Sequence, residues 1–301
     1  MSHIPEPPLA PEGVLLTAHG SVEALDELPD FLKRIRHGRP APPELVAEVR
    51  RRYEAIGGSP LRRITEQQAE LLSKQLGLRV YVGMRLSKPE LTEALARARR
   101  DGVRRLCVLP LAPYSVHVYA GAAEKALAAL EERGELSLVP VAPFGTSSEL
   151  VAAHAARIRE SLAKVSDGAA LVLTAHSLPQ GVIDAGDPYQ REFELSAKAI
   201  GTALGRHVEL AYQSQGFGGG AWLGPDLPAV FDALTASGTR EVVVAPVGFL
   251  ADHVETLYDL AIEAKSWAEQ RGLAFTRVPA LNTSPELIDA LAAAVRRALF
   301  R

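Results

Sequence analysis

The chain says the same thing twice, and in the same order. "LLTAHG" (Leu15–Gly20) returns as "VLTAHS" (Val172–Ser177). "RRLCVLPLAPYSVHV" (Arg104–Val118) returns as "REVVVAPVGFLADHV" (Arg240–Val254), proline over proline and His117 over His253. "VPVAPFGTSSEL" returns as "RVPALNTSPEL". Three matches in sequence predict two similar α/β domains, residues 13–150 and 168–295, with the C-terminal helix crossing back. Eight short apolar runs, from "GVLLTAHG" to "AFTRVPAL", alternate with alanine-rich amphipathic stretches. Near-continuous apolar strands between helices predict parallel sheets covered on both faces. Two open sheets of this kind bind ligands at the carboxyl ends of their strands, in a cleft between domains.

Four histidines fall at paired places in this scheme. His19 and His176 stand where a strand ends; His117 and His253 stand a few residues past another strand. All four are therefore expected to look into the cleft, as ligands or proton carriers. His3, His37, His154 and His207 show no such pairing.

"ADHVETLYDLAIEA" (Ala251–Ala264) adds a row of carboxylates. On an α-helix Glu255, Asp259 and Glu263 fall four apart, a gently spiralling stripe about 12 Å long. Val254, Leu257, Leu260 and Ala261 make the opposite, apolar face, which is expected to be buried. Like charges four apart repel, and no Lys or Arg interrupts the stripe before Lys265. Hard oxygen donors at intervals suit a divalent ion that moves rather than stays. HExxH, CxxC and EF-hand spacings are all missing, so the metal reading is of a transient ion.

Composition excludes several classes. Lys plus Arg number 33 against 36 for Asp plus Glu, so no basic field holds a nucleic acid. The single cysteine, Cys107, excludes an intramolecular disulfide and any cluster held by several thiolates of this chain. It lies in an apolar strand run and reads as a core side chain. "MSHIPEPPLAPEG" lacks the apolar segment of a secretory signal, and no uncharged run approaches the roughly 18 residues of a membrane span. A cytoplasmic location is expected.

Several segments together resemble the ferrochelatases, class II chelatases that insert Fe2+ into a porphyrin. "RRYEAIGGSPLRRITEQQA" (Arg51–Ala69) is similar to that family's early signature. "TAHSLP" (Thr174–Pro179) with "GDPY" (Gly186–Tyr189) is similar to its central one. "YQSQGFGGGAWLGPD" (Tyr212–Asp226) and "PVGFLADHVETLYDLAIE" (Pro246–Glu263) are similar to its late ones. "RIRHGRPAPPELVAEVRRRYEAIGG" (Arg34–Gly58) most resembles the short soluble bacterial branch, which includes coproporphyrin III ferrochelatases.

The resemblance implies two Rossmann-like domains with four-stranded parallel sheets and a chelatase-like cleft. It implies that His176 is the essential imidazole at the porphyrin face and Glu255 the facing carboxylate, with Asp259 and Glu263 continuing the metal path. Arg36, Arg52, Tyr53 and Ser59 would line the porphyrin pocket, with the aromatic Trp222 near the cleft. Two departures stand out. His19 and Glu23 occupy loop places where the soluble branch usually offers a tyrosine as axial ligand. Tyr114 stands where that branch commonly has a histidine.

The function implied is Fe2+ insertion into protoporphyrin IX or coproporphyrin III in haem biosynthesis. Porphyrin and Fe2+ would be substrates of a monomer with no permanently bound cofactor and no iron–sulfur cluster. A neutral His176 near pH 7 would accept pyrrole protons. The rival readings are a cobalt or nickel chelatase for a sirohydrochlorin-like tetrapyrrole, which "AHGS" (Ala18–Ser21) resembles, and a non-catalytic haem or metal carrier. "GFGGGAWLG" lacks the spacing of a phosphate loop, and Ser177 in "AHSLP" lacks a nucleophile elbow.

Overall fold

The computed structural model describes residues 12–130, 135–216 and 220–300. The N-terminal stretch with His3, and three residues of "GFGGG", lie outside them. Each of the eight apolar runs contains a strand. The first sheet holds β1 (Glu12–Ala18), β2 (Arg79–Met84), β3 (Arg105–Pro110) and β4 (Ser137–Pro140). The second holds β5 (Ala170–His176), β6 (Glu209–Gln213), β7 (Glu241–Ala245) and β8 (Ala274–Arg277). Their orders are β2-β1-β3-β4 and β6-β5-β7-β8, every pair parallel, so the echo in sequence is an identity of topology.

The central strands show why the runs lack polar alternation. Val14, Leu15 and Leu16 of β1, and Val172 and Leu173 of β5, are wholly inaccessible to solvent, because helices cover both faces. The helices are α1 (Leu28–Ile35), α2 (Pro43–Ala55), α3 (Leu61–Leu76), α4 (Leu91–Arg100), α5 (Val116–Ala128), α6 (Ser148–Leu162), α7 (Gln180–Asp184), α8 (Tyr189–Leu204), α9 (Leu227–Ala236), α10 (Lys265–Gln270) and α11 (Pro285–Leu299). Cys107 is buried in the first core, and that burial pushes its thiol up to about 12.

Two helices tie the halves together. α6 lies between the two expected domains in sequence and puts Val151 and Ile158 into the core of the second. α11 closes the chain and puts Leu287, Leu291 and Val295 into the core of the first, with Val14, Leu16 and Cys107. Among the described residues, no helix is long and apolar enough to cross a membrane.

The stretch expected to be an α-helix around Glu255 is a π-helix, Glu255–Ala264, continued by α10. Its amides bond back five residues rather than four, which widens the turn. Residues four apart still share one face, so Glu255, Asp259 and Glu263 remain a single row. The buried face is corrected with it. Thr256, Leu260 and Ala264 are fully buried, whereas Leu257 and Ala261 are only half-buried.

Candidate active site

Glycine brings the two carrying segments together. Gly248, past the end of β7, lies so close to β5 that a Cβ there would stand 2.8 Å from the Ala175 Cα. Its amide donates to the Thr174 carbonyl at 3.0 Å. The chain then runs directly past His176 into the π-helix.

Asp252 fixes where that helix begins. It is buried, and its carboxylate accepts from Arg277 (2.8 Å), Asn282 (2.8 Å) and the Thr256 hydroxyl (2.9 Å). Burial alone would raise its pKa, but these partners hold it below the ordinary value. Nothing local marks this anchor beyond the repeated "TS" segment that contains Asn282.

The outcome is a direct meeting. His176 Nδ1 lies 2.9 Å from Glu255 Oε2, joining residues 79 positions apart. His253 Nε2 approaches the same oxygen at 3.7 Å. Burial opposes charge on His176, yet the Glu255 carboxylate outweighs it and raises the imidazole pKa; the Glu255 pKa is lowered well below its ordinary value in return. The contact thus favours an imidazolium beside a carboxylate more than either group alone would.

The backbone behind His176 is equally constrained. Tyr189, the tyrosine of "GDPY", donates to the His176 carbonyl at 2.9 Å. Gln213, beside His176 in the sheet, accepts from Thr174 at 2.6 Å and donates to the Glu255 carbonyl at 3.4 Å. Ser177 is buried and donates to the Leu223 carbonyl at 2.8 Å, which leaves no nucleophile there.

The rest of the acidic row is not bare. Asp259 is buried, accepts from the Ser214 hydroxyl, and lies 3.0 Å from Arg52 Nη1. Arg52 also stands 3.6 Å from Glu263. Loss of water and the Glu255 charge push Asp259 up to about 6, against the pull of Ser214 and Arg52. Among the described residues, no three His, Cys, Asp or Glu side chains are set to hold an ion together. The arrangement is a pair followed by a file of single acids.

Of the four paired histidines, three gather here. His19 is open to solvent, with its ring edge-on to Phe31 at a centroid distance of 6.5 Å. Nearby protein atoms lower its pKa, and the positive charges of Arg85, His176 and His253 add to that against the pull of Glu255. His117 is exposed and pairs with Asp187 of the "GDPY" segment at 3.1 Å. Two surface hollows, one along α8 and β6 and one between α11 and the segment joining β4 to α6, border none of these histidines.

The ferrochelatase family model matches residues 11–299. The chain belongs to the ferrochelatase family. It is 36% identical to the coproporphyrin III ferrochelatase of Geobacillus kaustophilus, covering 94% of each chain. It is 37% identical to the ferrochelatase of Thermus thermophilus, covering 92% of this chain and 96% of that one. In fold it is similar to SirB from Bacillus subtilis with Fe3+, at a TM-score of 0.60 and 14% identity over 96% of both chains. It is also similar to CbiX, the terminal enzyme of sirohaem biosynthesis in denitrifying bacteria, at a TM-score of 0.56 and 15% identity over 95% of this chain and 99% of that one. These last two likenesses speak to the fold alone.

Within this ferrochelatase-family chain the remaining expected residues disperse around the pair. Tyr53 is buried with Val22, Leu28 and Phe31, its hydroxyl 2.9 Å from Ser21. Gly20, at φ +105°, turns the chain there; a Cβ would meet the Ser87 hydroxyl at 2.6 Å. Glu23 is ion-paired with Arg62. Ser59 accepts from the Leu61 amide at 3.4 Å, and Arg36 caps α1. Trp222 is half-buried and bridges to Pro179. Tyr114 is buried among Ser196 and the Val247 carbonyl, where it supports the second core and is withdrawn from any ligand.

Proposed function

We propose that the chain inserts Fe2+ into a porphyrin between its two halves, with His176 and Glu255 as the acting pair. The observation that carries this is their 2.9 Å contact at the carboxyl end of β5, at the head of a file of acids. A protonated imidazole cannot accept a pyrrole proton. Fe2+ engaging Glu255 withdraws the charge that favours a proton on His176; any proton held there passes to solvent, and the neutral imidazole then accepts a pyrrole proton. The two pyrrole protons then leave through His176 and along the row, where Asp259, near pH 6, can hold a proton in transit. Binding of a bent macrocycle lowers the barrier to entry of the ion. No permanently bound cofactor enters this scheme, and a single chain suffices for it.

For the porphyrin we favour coproporphyrin III. Lys33, Arg34, Arg36 and Arg39 crowd the end of α1 without an intervening acid. α1 packs through Phe31 beside His19, so this basic end lies near the cleft and suits a macrocycle with more carboxylates. An anaerobic insertion assay offering coproporphyrin III and protoporphyrin IX side by side tests the reading. Faster insertion into coproporphyrin III is expected. His176→Ala should bind porphyrin normally yet lose about 100-fold or more in insertion rate. Tight porphyrin binding with no insertion by the natural chain would instead describe a carrier.

A further inference from the structure

Arg52 reaches the acidic row from the other half of the molecule, 207 positions away in sequence. Its guanidinium stands 3.0 Å from Asp259 and 3.6 Å from Glu263, and lies over the buried Tyr258 ring at 5.1 Å. On its other side Arg52 Nε donates to Glu48 at 2.8 Å, one turn earlier on α2. Glu48 is itself shared with Arg51 and stands at the helix surface. One cation is thus held between two acids of the row and one acid outside it.

We propose that Arg52 is a displaceable counter-cation of the row, which an incoming divalent ion must move aside, and that Glu48 is the acceptor that keeps it when it moves. This rests on the reading of Asp259 and Glu263 as the path of the metal. A guanidinium bound there keeps the row uncharged enough to stay folded while imposing the same penalty on every divalent ion. That common penalty is offset for an ion that goes on into the macrocycle and is not offset for one that stays in the row. Glu48 lowers the cost of opening, because Arg52 leaves the row without leaving all of its partners.

Three variants test it, read by the metal KM in Zn2+ insertion, the porphyrin KM, and inhibition by Mg2+, which is not inserted. Arg52→Gln should lower the KM for Zn2+ several-fold to about tenfold and make Mg2+ inhibitory at correspondingly lower concentration. Glu48→Gln should raise the KM for Zn2+, because the cation then settles on the row alone. In Arg52→Gln/Glu48→Gln the second change should add nothing, since it acts through Arg52. An unchanged or raised Zn2+ KM in Arg52→Gln overturns the proposal, as does an effect of Glu48→Gln that persists undiminished without Arg52. A merely structural Arg52 would raise the KM for metal and porphyrin together. Calorimetric titration of porphyrin-free protein with Co2+ separates the two ideas: absent insertion by the natural chain defeats the functional reading, whereas equal Co2+ affinity with and without Arg52 defeats this one.

Discussion

The helix that follows β3 and the one that follows β7 occupy equivalent places, and they have gone different ways. With His117 over His253, Tyr119 stands where Glu255 stands, Ala123 where Asp259 stands, and Leu127 where Glu263 stands. α5 is an ordinary α-helix, and it buries Tyr119 and Ala123. Ala123 joins the core with Leu95, Leu106 and Val108. Its counterpart has a widened turn and lines three acids up beside two histidines. Duplicated topology therefore duplicates the scaffold and not the chemistry. One copy uses this face to close a core, and the other uses it to carry charge.

The comparison can be broken most sharply at Ala123. Ala123→Asp puts a carboxylate where the second half already keeps one, but inside an apolar core with Leu95, Leu106 and Val108. A fall in unfolding free energy of about 3 kcal/mol or more is expected in urea titration. A small change would mean that the first half accepts an acid there as readily as the second.

Asp259 gives the middle effect, and it depends on pH. Its folded pKa is raised from 3.8 to about 6, so between those values the folded chain binds the proton more tightly than the unfolded one. Stability is therefore lost as pH rises through that window, by on the order of 3 kcal/mol. Asp259→Asn has no proton to lose. Its stability relative to the natural chain should improve from pH 4 to pH 7.5, and a flat difference would show that Arg52 and Ser214 fully compensate the buried charge.

His117 gives the smallest. Its pair with Asp187 lies at the surface, where such contacts contribute roughly 1 kcal/mol or less. His117→Ala should shift the urea midpoint slightly and leave insertion unaltered. A marked loss of insertion would make the two halves more alike than their neighbours suggest.

The strands and their repetition in two halves were legible because apolar runs and their echoes are local facts, whereas the order of strands within each sheet was not. The meeting of His176 and Glu255 was legible only through family resemblance, since nothing local states that residues 79 positions apart will touch. The π-turn was not legible, because an inserted backbone bond leaves the residue types of an α-helix unchanged. Nor was the neutralisation of the row: Arg52 looked like a porphyrin contact, and its approach to Asp259 depends on how α2 of one half lies against the other. Tyr114 looked like a changed ligand, yet it is a buried prop of the second core.

The placement of α11 sets a timetable. As the polypeptide leaves the ribosome, β1, β3 and their neighbours emerge first, yet the apolar face formed by Val14, Leu16 and Cys107 awaits Leu287, Leu291 and Val295. The earlier-made half is therefore sealed only after the later half has been made, and it stays sticky until then. Losing the last two turns of α11 would injure the half farthest from them in sequence.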